Sequence, residues 1–214
     1  MLTSNQKSAL IELHHLPSIE YFAAVRPFDE IILEKHEHFV KQSFRNRCYI
    51  LTSQGPSMLT VPLADKHGKA LISDIRIDYT SRWQTTHWRT LVSAYAKAPY
   101  FEHYGDGLEK IIFSHTTFLY DLNLSLLSFC LQSLAIKIKI SESVSYEENP
   151  DLSVSDLRSQ IHTKKDHSTR PFYRPEPYLQ VFGNTFAENL SVIDLLFSEG
   201  PHSHRHLKAS GKGI

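Results

Sequence analysis

A dense group of hydrogen-bond donors occupies residues 36–48, HEHFVKQSFRNRC. Its cations Lys41, Arg45 and Arg47 are side chains of the type that bind phosphate or carboxylate, and arginine does so through two parallel hydrogen bonds. If the segment is an extended strand, alternate side chains share a face, so these three cations lie together and repel one another. An anionic ligand would relieve that repulsion, and Asn46 would orient it. The spacing therefore predicts an anion-binding site.

The same cations also have a structural interpretation. Clusters of charge are commonly solvated surface. Acidic residues with which the arginines could pair stand nearby in the sequence, at Asp29, Glu30, Glu34 and Glu37. The residues alone leave both interpretations open.

His87 is the candidate for acid–base chemistry. Trp83, His87, Leu91 and Tyr95 recur every four residues, which is the spacing of one helix face. A histidine on such a face is commonly a core residue that hydrogen-bonds a backbone carbonyl. It can also be a general base or hydrogen-bond donor in a pocket lined by aromatic rings. In the second interpretation His87 is catalytic, and Trp83 and Tyr95 contact the substrate.

Other reactive side chains carry less information. Cys48 follows Arg47, which could activate its thiol, but it also begins an apolar run in which cysteine packs as a small hydrophobic residue. The His36–His38 pair has no cysteine or acidic partner at a spacing typical of zinc sites, so no metal is predicted. The known phosphate-loop, dinucleotide and nucleophile motifs do not occur, and the cofactor is therefore unknown.

Composition limits the partners. Lysine plus arginine and aspartate plus glutamate number 23 each, so there is no general basic field and no nucleic-acid partner is expected. Basic residues between 158 and 174 leave RNA contact as an alternative. The amino-terminal residues lack the pattern of a signal peptide, and polar residues interrupt the longest apolar segment. We expect a cytoplasmic protein without a membrane span, of unknown oligomeric state.

The pattern of elements predicts a single mixed α/β domain over residues 1–200, with a central sheet that includes a β-hairpin and is flanked by helices. Strands are predicted at 9–13, 31–33, 48–53, 57–63, 72–78 and 136–140, with the hairpin turn at 54–56. Helices are predicted after Ser18, from about residue 80 to Pro99, and at 107–113, 117–135 and 191–199. Residues 141–176 are predicted to form a loop, and residues 201–214 a polar, disordered tail.

Several motifs occur in a fixed order: LPSIEYF, FVKQSFRNRCYI, LTVPL, WQTTHWRTLVSAYAKAPYFE, DLNLSLL and NLSVIDLLFSEGP. Together they resemble the WbqC-like protein family, in the version with a KQS-x-RNRC motif that occurs in Bacteroidetes-type bacteria. The resemblance runs from about Leu16 to Pro201. The family's motif positions fall on Pro17, Tyr21, Lys41, Asn46, Arg47, Pro62, Trp83, His87, Tyr95, Pro99 and Phe101. Many members have Gln-Pro and a later aspartate where this chain has Glu12-Leu13 and, near the second position, Glu34 or Lys35.

The resemblance implies a role in bacterial O-antigen or other surface-polysaccharide biosynthesis. We expect a transferase-like enzyme that acts on an anionic activated-sugar or acyl donor, with His87 as base or hydrogen-bond donor. The expected substrate-binding residues are Lys41, Asn46, Arg47, Trp83 and Tyr95. The alternative is a non-catalytic module of the same pathway that binds a sugar or a partner protein.

Overall fold

Six strands form two separate sheets in the computed structural model, which describes residues 7–64 and 69–212. The strands are β1 (Ser8–Ile11), β2 (Glu30–Leu33), β3 (Arg47–Thr52), β4 (Gly55–Thr60), β5 (Lys139–Glu142) and β6 (Val154–Asp156). The central sheet is parallel, in the order β5-β2-β1-β6. On its two inner strands Ile11, Ile31 and Leu33 are inaccessible to solvent, as expected for a parallel sheet that is covered on both faces.

The predicted hairpin is confirmed, but it stands apart from the central sheet. Strands β3 and β4 pair antiparallel around Gly55, whose positive φ of 94° suits a glycine at the turn. On the edge of β3 that faces away from β4, a side chain and a loop residue hydrogen-bond the backbone N–H and C=O groups. The Leu51 N–H donates to the Tyr95 hydroxyl at 3.1 Å, and the Tyr49 carbonyl accepts from the Ser191 N–H at 2.8 Å. These contacts leave β3 paired with β4 alone.

Within the described residues six α-helices surround the sheets: α1 (Ile19–Val25), α2 (Trp83–Tyr95), α3 (Phe101–Ile112), α4 (Leu119–Ser133), α5 (Val192–Glu199) and α6 (Ser203–Ser210). Ser18 caps α1, as predicted, because its hydroxyl accepts from the Tyr21 N–H at 3.4 Å. Helix α4 is central, as its apolar surface predicts, and it buries Leu122, Leu126 and Leu127. The mixed α/β class is therefore confirmed.

Three segments differ from the prediction. Residues 36–46 form turns instead of a strand, and β6 lies inside the predicted loop 141–176. The predicted strand 72–78 begins as a 3₁₀ turn over Ile72–Asp74. Its alternating isoleucines are buried, but the backbone of Ile75 and Ile77 hydrogen-bonds to the residues just before and at the start of α4 and not to a neighbouring strand. Alternation shows that one side is buried, but not what the backbone pairs with.

The segment predicted as a disordered tail contains a packed helix. Within α6, Leu207 is 1% exposed, and Ser203 and Ser210 are also buried. The Ser203 hydroxyl donates to the Leu195 carbonyl at 3.3 Å, which ties the helix to α5. One apolar residue on a short polar helix gives little periodicity, so the sequence pattern missed it. Residues 213 and 214 lie outside the described residues.

Replacing Leu207 by alanine should lower the free energy of unfolding by about 2–5 kcal/mol, because it removes a fully buried leucine and leaves a cavity. Urea denaturation measures the change. Lys208→Ala, at an exposed position of the same helix, is the control and should stay within about 0.5 kcal/mol of the parent. Equal denaturation midpoints for Leu207→Ala and the parent protein would show that α6 does not pack in solution.

Candidate functional site

The carboxyl edge of the central sheet is acidic. Every one of its four strands ends at a carboxylate or one residue before one: Glu12 after β1, Glu34 after β2, Glu142 in β5 and Asp156 in β6. Parallel strands bring these ends to the same edge, which is the usual ligand position in open α/β sheets. Carboxylates crowded at one edge repel each other unless cations lie among them.

The chain supplies those cations itself. The four pairs, with their nitrogen–oxygen distances, are Glu12 with Arg45 at 3.8 Å, Glu34 with Arg158 at 2.9 Å, Glu142 with Lys35 at 2.8 Å and Asp156 with Arg158 at 2.8 Å. Ion pairs within the protein therefore offset much of the negative charge at the edge where a ligand would usually bind.

Arg45 is the most deeply buried of these cations, at 2% exposure. Its Nε and Nη2 donate to the two carboxylate oxygens of Glu37 at 2.6 and 2.5 Å, a bidentate geometry. Its carbonyl accepts from Asn123 Nδ2 at 2.7 Å. Glu37 is one of the partners that the structural interpretation named, but the pair is buried and not solvated. Arg45 does not share a strand face with Lys41 and Arg47, because this segment turns and the extended conformation on which that inference depended does not form.

Glu12 is held in its charged form. Burial opposes ionisation, but the His14 hydrogen bond at 3.3 Å, the charges of His14 and Arg45 and the Ser159 N–H at 2.9 Å outweigh it. Together they lower the pKa of Glu12 from 4.5 to about 2. The inner end of the edge therefore keeps its negative charge at any physiological pH.

A cavity of about 420 Å³ lies at the open end of the hairpin, beside the 36–46 turns. Its lining residues are Phe39, Lys41, Gln42, Asn46, Arg47, Thr60, Val61, Pro62 and Leu63. Three of the predicted substrate-binding residues, Lys41, Asn46 and Arg47, therefore share one cavity. Arg47 opens β3 and faces Thr60 of β4 across the ladder, so the hairpin register places the cation at the mouth.

Two polar groups at this cavity lack a hydrogen-bond partner within residues 7–64 and 69–212. Asn46 is only 7% exposed; its Nδ2 donates to the Val61 carbonyl at 2.9 Å, while its Oδ1 is unpaired. Arg47 Nε is likewise buried and unpaired. Buried polar atoms are nearly always hydrogen-bonded, so these two atoms are polar groups beside the cavity with unused hydrogen-bonding capacity.

His87 lies behind the cavity wall and does not line it. The imidazole is 6% exposed, packs edge-on to Trp83 at 5.0 Å between ring centroids, and hydrogen-bonds the backbone of Thr60. Burial lowers the pKa of His87 to about 4, so the ring is neutral near pH 7. Thr60 lines the cavity, so the hydrogen bond from His87 to its backbone connects the imidazole to the cavity wall.

The other two predicted contacts also lie outside the cavity lining. Tyr95 is fully buried, and its hydroxyl donates to Asp194 at 2.7 Å while it accepts from the Leu51 N–H, so it joins the hairpin to α5. Trp83 is 5% exposed and packs against His87. The structure gives both residues packing roles. Cys48 is buried as well, and burial raises the pKa of its thiol, which fits the packing interpretation.

His15 is a buried residue that sequence reasoning passed over. Its Nδ1 lies 3.0 Å from Asn123 Oδ1, and its ring centroid lies 6.2 Å from that of His87. Burial, followed by the charge of His87, lowers the pKa of His15 to about 3. Asn123, a buried amide on the apolar helix α4, was the available signal, since such a residue needs polar partners inside the core.

The described residues contain neither a metal-binding cluster nor a membrane-spanning helix. Across residues 7–64 and 69–212, no three or more His, Cys, Asp or Glu side chains are arranged to hold a metal ion. No helix in the same part of the chain has the length and apolar character needed to cross a bilayer.

The sequence matches the WbqC-like protein family over residues 14–169, a range that includes the whole cavity and the Arg45–Glu37 pair. The chain belongs to this family. The uncharacterized protein Rv1507c of Mycobacterium tuberculosis (strain ATCC 25618 / H37Rv) is 34% identical to this WbqC-like protein over 232 residues, covering 95% of this chain and 98% of its own. No solved structure matches. The family prediction is confirmed.

Substituting Glu12 by glutamine should lower the free energy of unfolding by roughly 3 kcal/mol at pH 7, the amount expected when a pKa falls from 4.5 to about 2 on folding. A lowered pKa stabilises the fold above pH 4.5, and the effect fades as the pH falls toward 2. Urea denaturation should therefore show a difference between Glu12→Gln and the parent that drops below about half at pH 3. Glu148→Gln, on an exposed loop, is the control. A difference that is the same at both pH values would contradict the ionised state of Glu12.

Proposed function

We propose that this WbqC-like protein is a cytoplasmic, transferase-like enzyme of O-antigen or other surface-polysaccharide biosynthesis in a Bacteroidetes-type bacterium. Its substrate is an anionic activated-sugar or acyl donor, bound in the cavity at the hairpin mouth. The observation that carries the proposal is the meeting of Lys41, Arg47 and the unpaired Asn46 oxygen at one cavity of about 420 Å³.

The geometry suits an activated donor with a phosphate. Asn46 is held to Val61 by two hydrogen bonds at 2.9 Å, and the backbone of Arg47 is held by its place at the start of β3. Cations next to a departing phosphate stabilise the charge that collects on it. The cavity volume lies within the range of small-molecule sites, which is about 300–1,000 Å³.

His87 then acts as a positioning residue. Its hydrogen bond to the Thr60 backbone holds the strand end that faces Arg47. Direct proton transfer to or from a ligand would need the imidazole within hydrogen-bond reach of the cavity, and the imidazole does not line it. The predicted role as base therefore has less support than a role in shaping the wall.

A non-catalytic binding module is the second candidate. Among the cavity-lining residues that the structure describes there is no histidine and no carboxylate, so these residues offer no conventional general base. A module that binds an activated donor without turning it over needs only the cations and the amide. Release of the leaving group by the wild-type protein separates the two candidates.

Removing either cation should abolish most donor binding. In a thermal-shift assay, UDP-glucose or acetyl-coenzyme A should raise the melting temperature of the parent protein. Arg47→Ala and Lys41→Ala should each weaken the better of the two probes by about tenfold or more, as expected for charged hydrogen bonds. Lys97→Ala, at an exposed position that does not line the cavity, should bind as the parent does. Failure of both probes to bind, or undiminished binding by both cavity variants, would reject the proposal.

His87→Ala should weaken binding of the same probe severalfold by loosening the Thr60 wall, with no change in its pH dependence between pH 6 and 8, since the imidazole is neutral throughout. Isothermal titration calorimetry at the two pH values measures this. Thr86→Ala, at an exposed position one residue away on α2, is the control. An affinity that changes with pH in the parent but not in His87→Ala would instead assign a titrating role to His87.

A further inference from the structure

The residues that line the cavity at the hairpin mouth are of two chemical kinds. Lys41, Gln42, Asn46, Arg47 and Thr60 are polar. Phe39, Val61, Pro62 and Leu63 present hydrocarbon. Phe39, Pro62 and Leu63 are only partly buried, so a ligand in the cavity would remove their remaining apolar surface from water.

Backbone pairing holds two of the apolar residues in position. The Phe39 N–H donates to the Ala70 carbonyl at 2.9 Å, and Leu63 forms a bridge with Ile77. A ligand would therefore not have to order this part of the backbone on binding. A cavity lined by both hydrocarbon and cations favours a ligand that has both characters.

A hexose ring fits this wall poorly. Each of its hydroxyl groups loses hydrogen bonds to water on entering the cavity and needs a replacement there. Among the cavity-lining residues that the structure describes, the neutral polar side chains are Gln42, Asn46 and Thr60, and Asn46 Nδ2 is already engaged by the Val61 carbonyl. An acyl chain has no such requirement and gains from each methylene that it buries.

We infer that the donor bound in this cavity is an acyl donor: an anion with a phosphate that meets Lys41 and Arg47, and a hydrocarbon acyl group that lies against Phe39, Pro62 and Leu63. This inference rests on the proposed function and chooses between the two donor classes left open there. The unpaired Asn46 oxygen would accept a hydrogen bond from an N–H or O–H of the same ligand.

Isothermal titration calorimetry with phosphate monoesters tests the inference, because all of these probes carry the same anionic group. Methyl, propyl and pentyl phosphate should bind with affinities that rise about threefold or more for each added methylene until the chain fills the cavity. Glucose 1-phosphate should bind no more tightly than methyl phosphate. A flat alkyl series, or glucose 1-phosphate binding more tightly than pentyl phosphate, overturns the acyl assignment.

Two variants distinguish failure of the acyl assignment from failure of the proposed function. Leu63→Asn should leave methyl phosphate affinity within about twofold of the parent and flatten the alkyl series, whereas Arg47→Ala should weaken every monoester by a similar factor. Met58→Ser, on β4 but outside the cavity lining, is the matched control and should retain the full series. An alkyl series that keeps its slope in Leu63→Asn overturns the inference alone. No binding of any monoester by the parent overturns the proposed function with it.

Discussion

The buried pair between Arg45 and Glu37 is the interaction on which the arrangement around the cavity depends. Four carboxylates meet at the carboxyl edge of the central sheet, and a parallel sheet cannot separate them because its strands all end on the same side. Arg45 lies 3.8 Å from Glu12 and donates to both carboxylate oxygens of Glu37. Its positive charge therefore offsets part of the negative charge at the inner strands. Removing one member of such a pair is costly, because the other is then buried without a counter-charge.

This pairing fixes the direction of the segment that follows. Once the Arg45 side chain enters the edge and its carbonyl is held by Asn123, the next two residues lie at the start of the hairpin. Asn46 is then bonded to Val61, and Arg47 faces Thr60. The charge balance of the central sheet and the geometry of the proposed binding cavity are thus connected through three consecutive residues. A cluster of donors that looks uniform in the sequence divides into one arginine that is buried in an ion pair and one that lines the cavity.

The aromatic stripe of α2 supports the same cavity from behind. His87 bonds the Thr60 backbone, and Tyr95 bridges the hairpin to Asp194 of α5. Tyr178 also donates to Asp194, at 2.5 Å, so the segment after residue 176 is tied to the same carboxylate. Burial raises the pKa of Asp194 above its ordinary value. The hydrogen bonds from the two phenols offset only part of this increase. These contacts give the hairpin a fixed place although no third strand from the described part of the chain joins it.

Much of the architecture could be read from local patterns. The four-residue spacing from Trp83 determined α2, the apolar surface of 119–133 determined the central helix, and the turn at Gly55 determined the hairpin, since each depends on side-chain periodicity or on one backbone angle. The sequence also marked Lys41, Asn46 and Arg47 as a group. Only the tertiary structure decided that Arg45 turns inward to Glu37, and that His87 and Tyr95 are buried outside the cavity lining. Those outcomes depend on partners far away in the chain, such as Asn123 for Arg45 and Asp194 for Tyr95, and local periodicity carries no information about which distant polar group will satisfy a buried one.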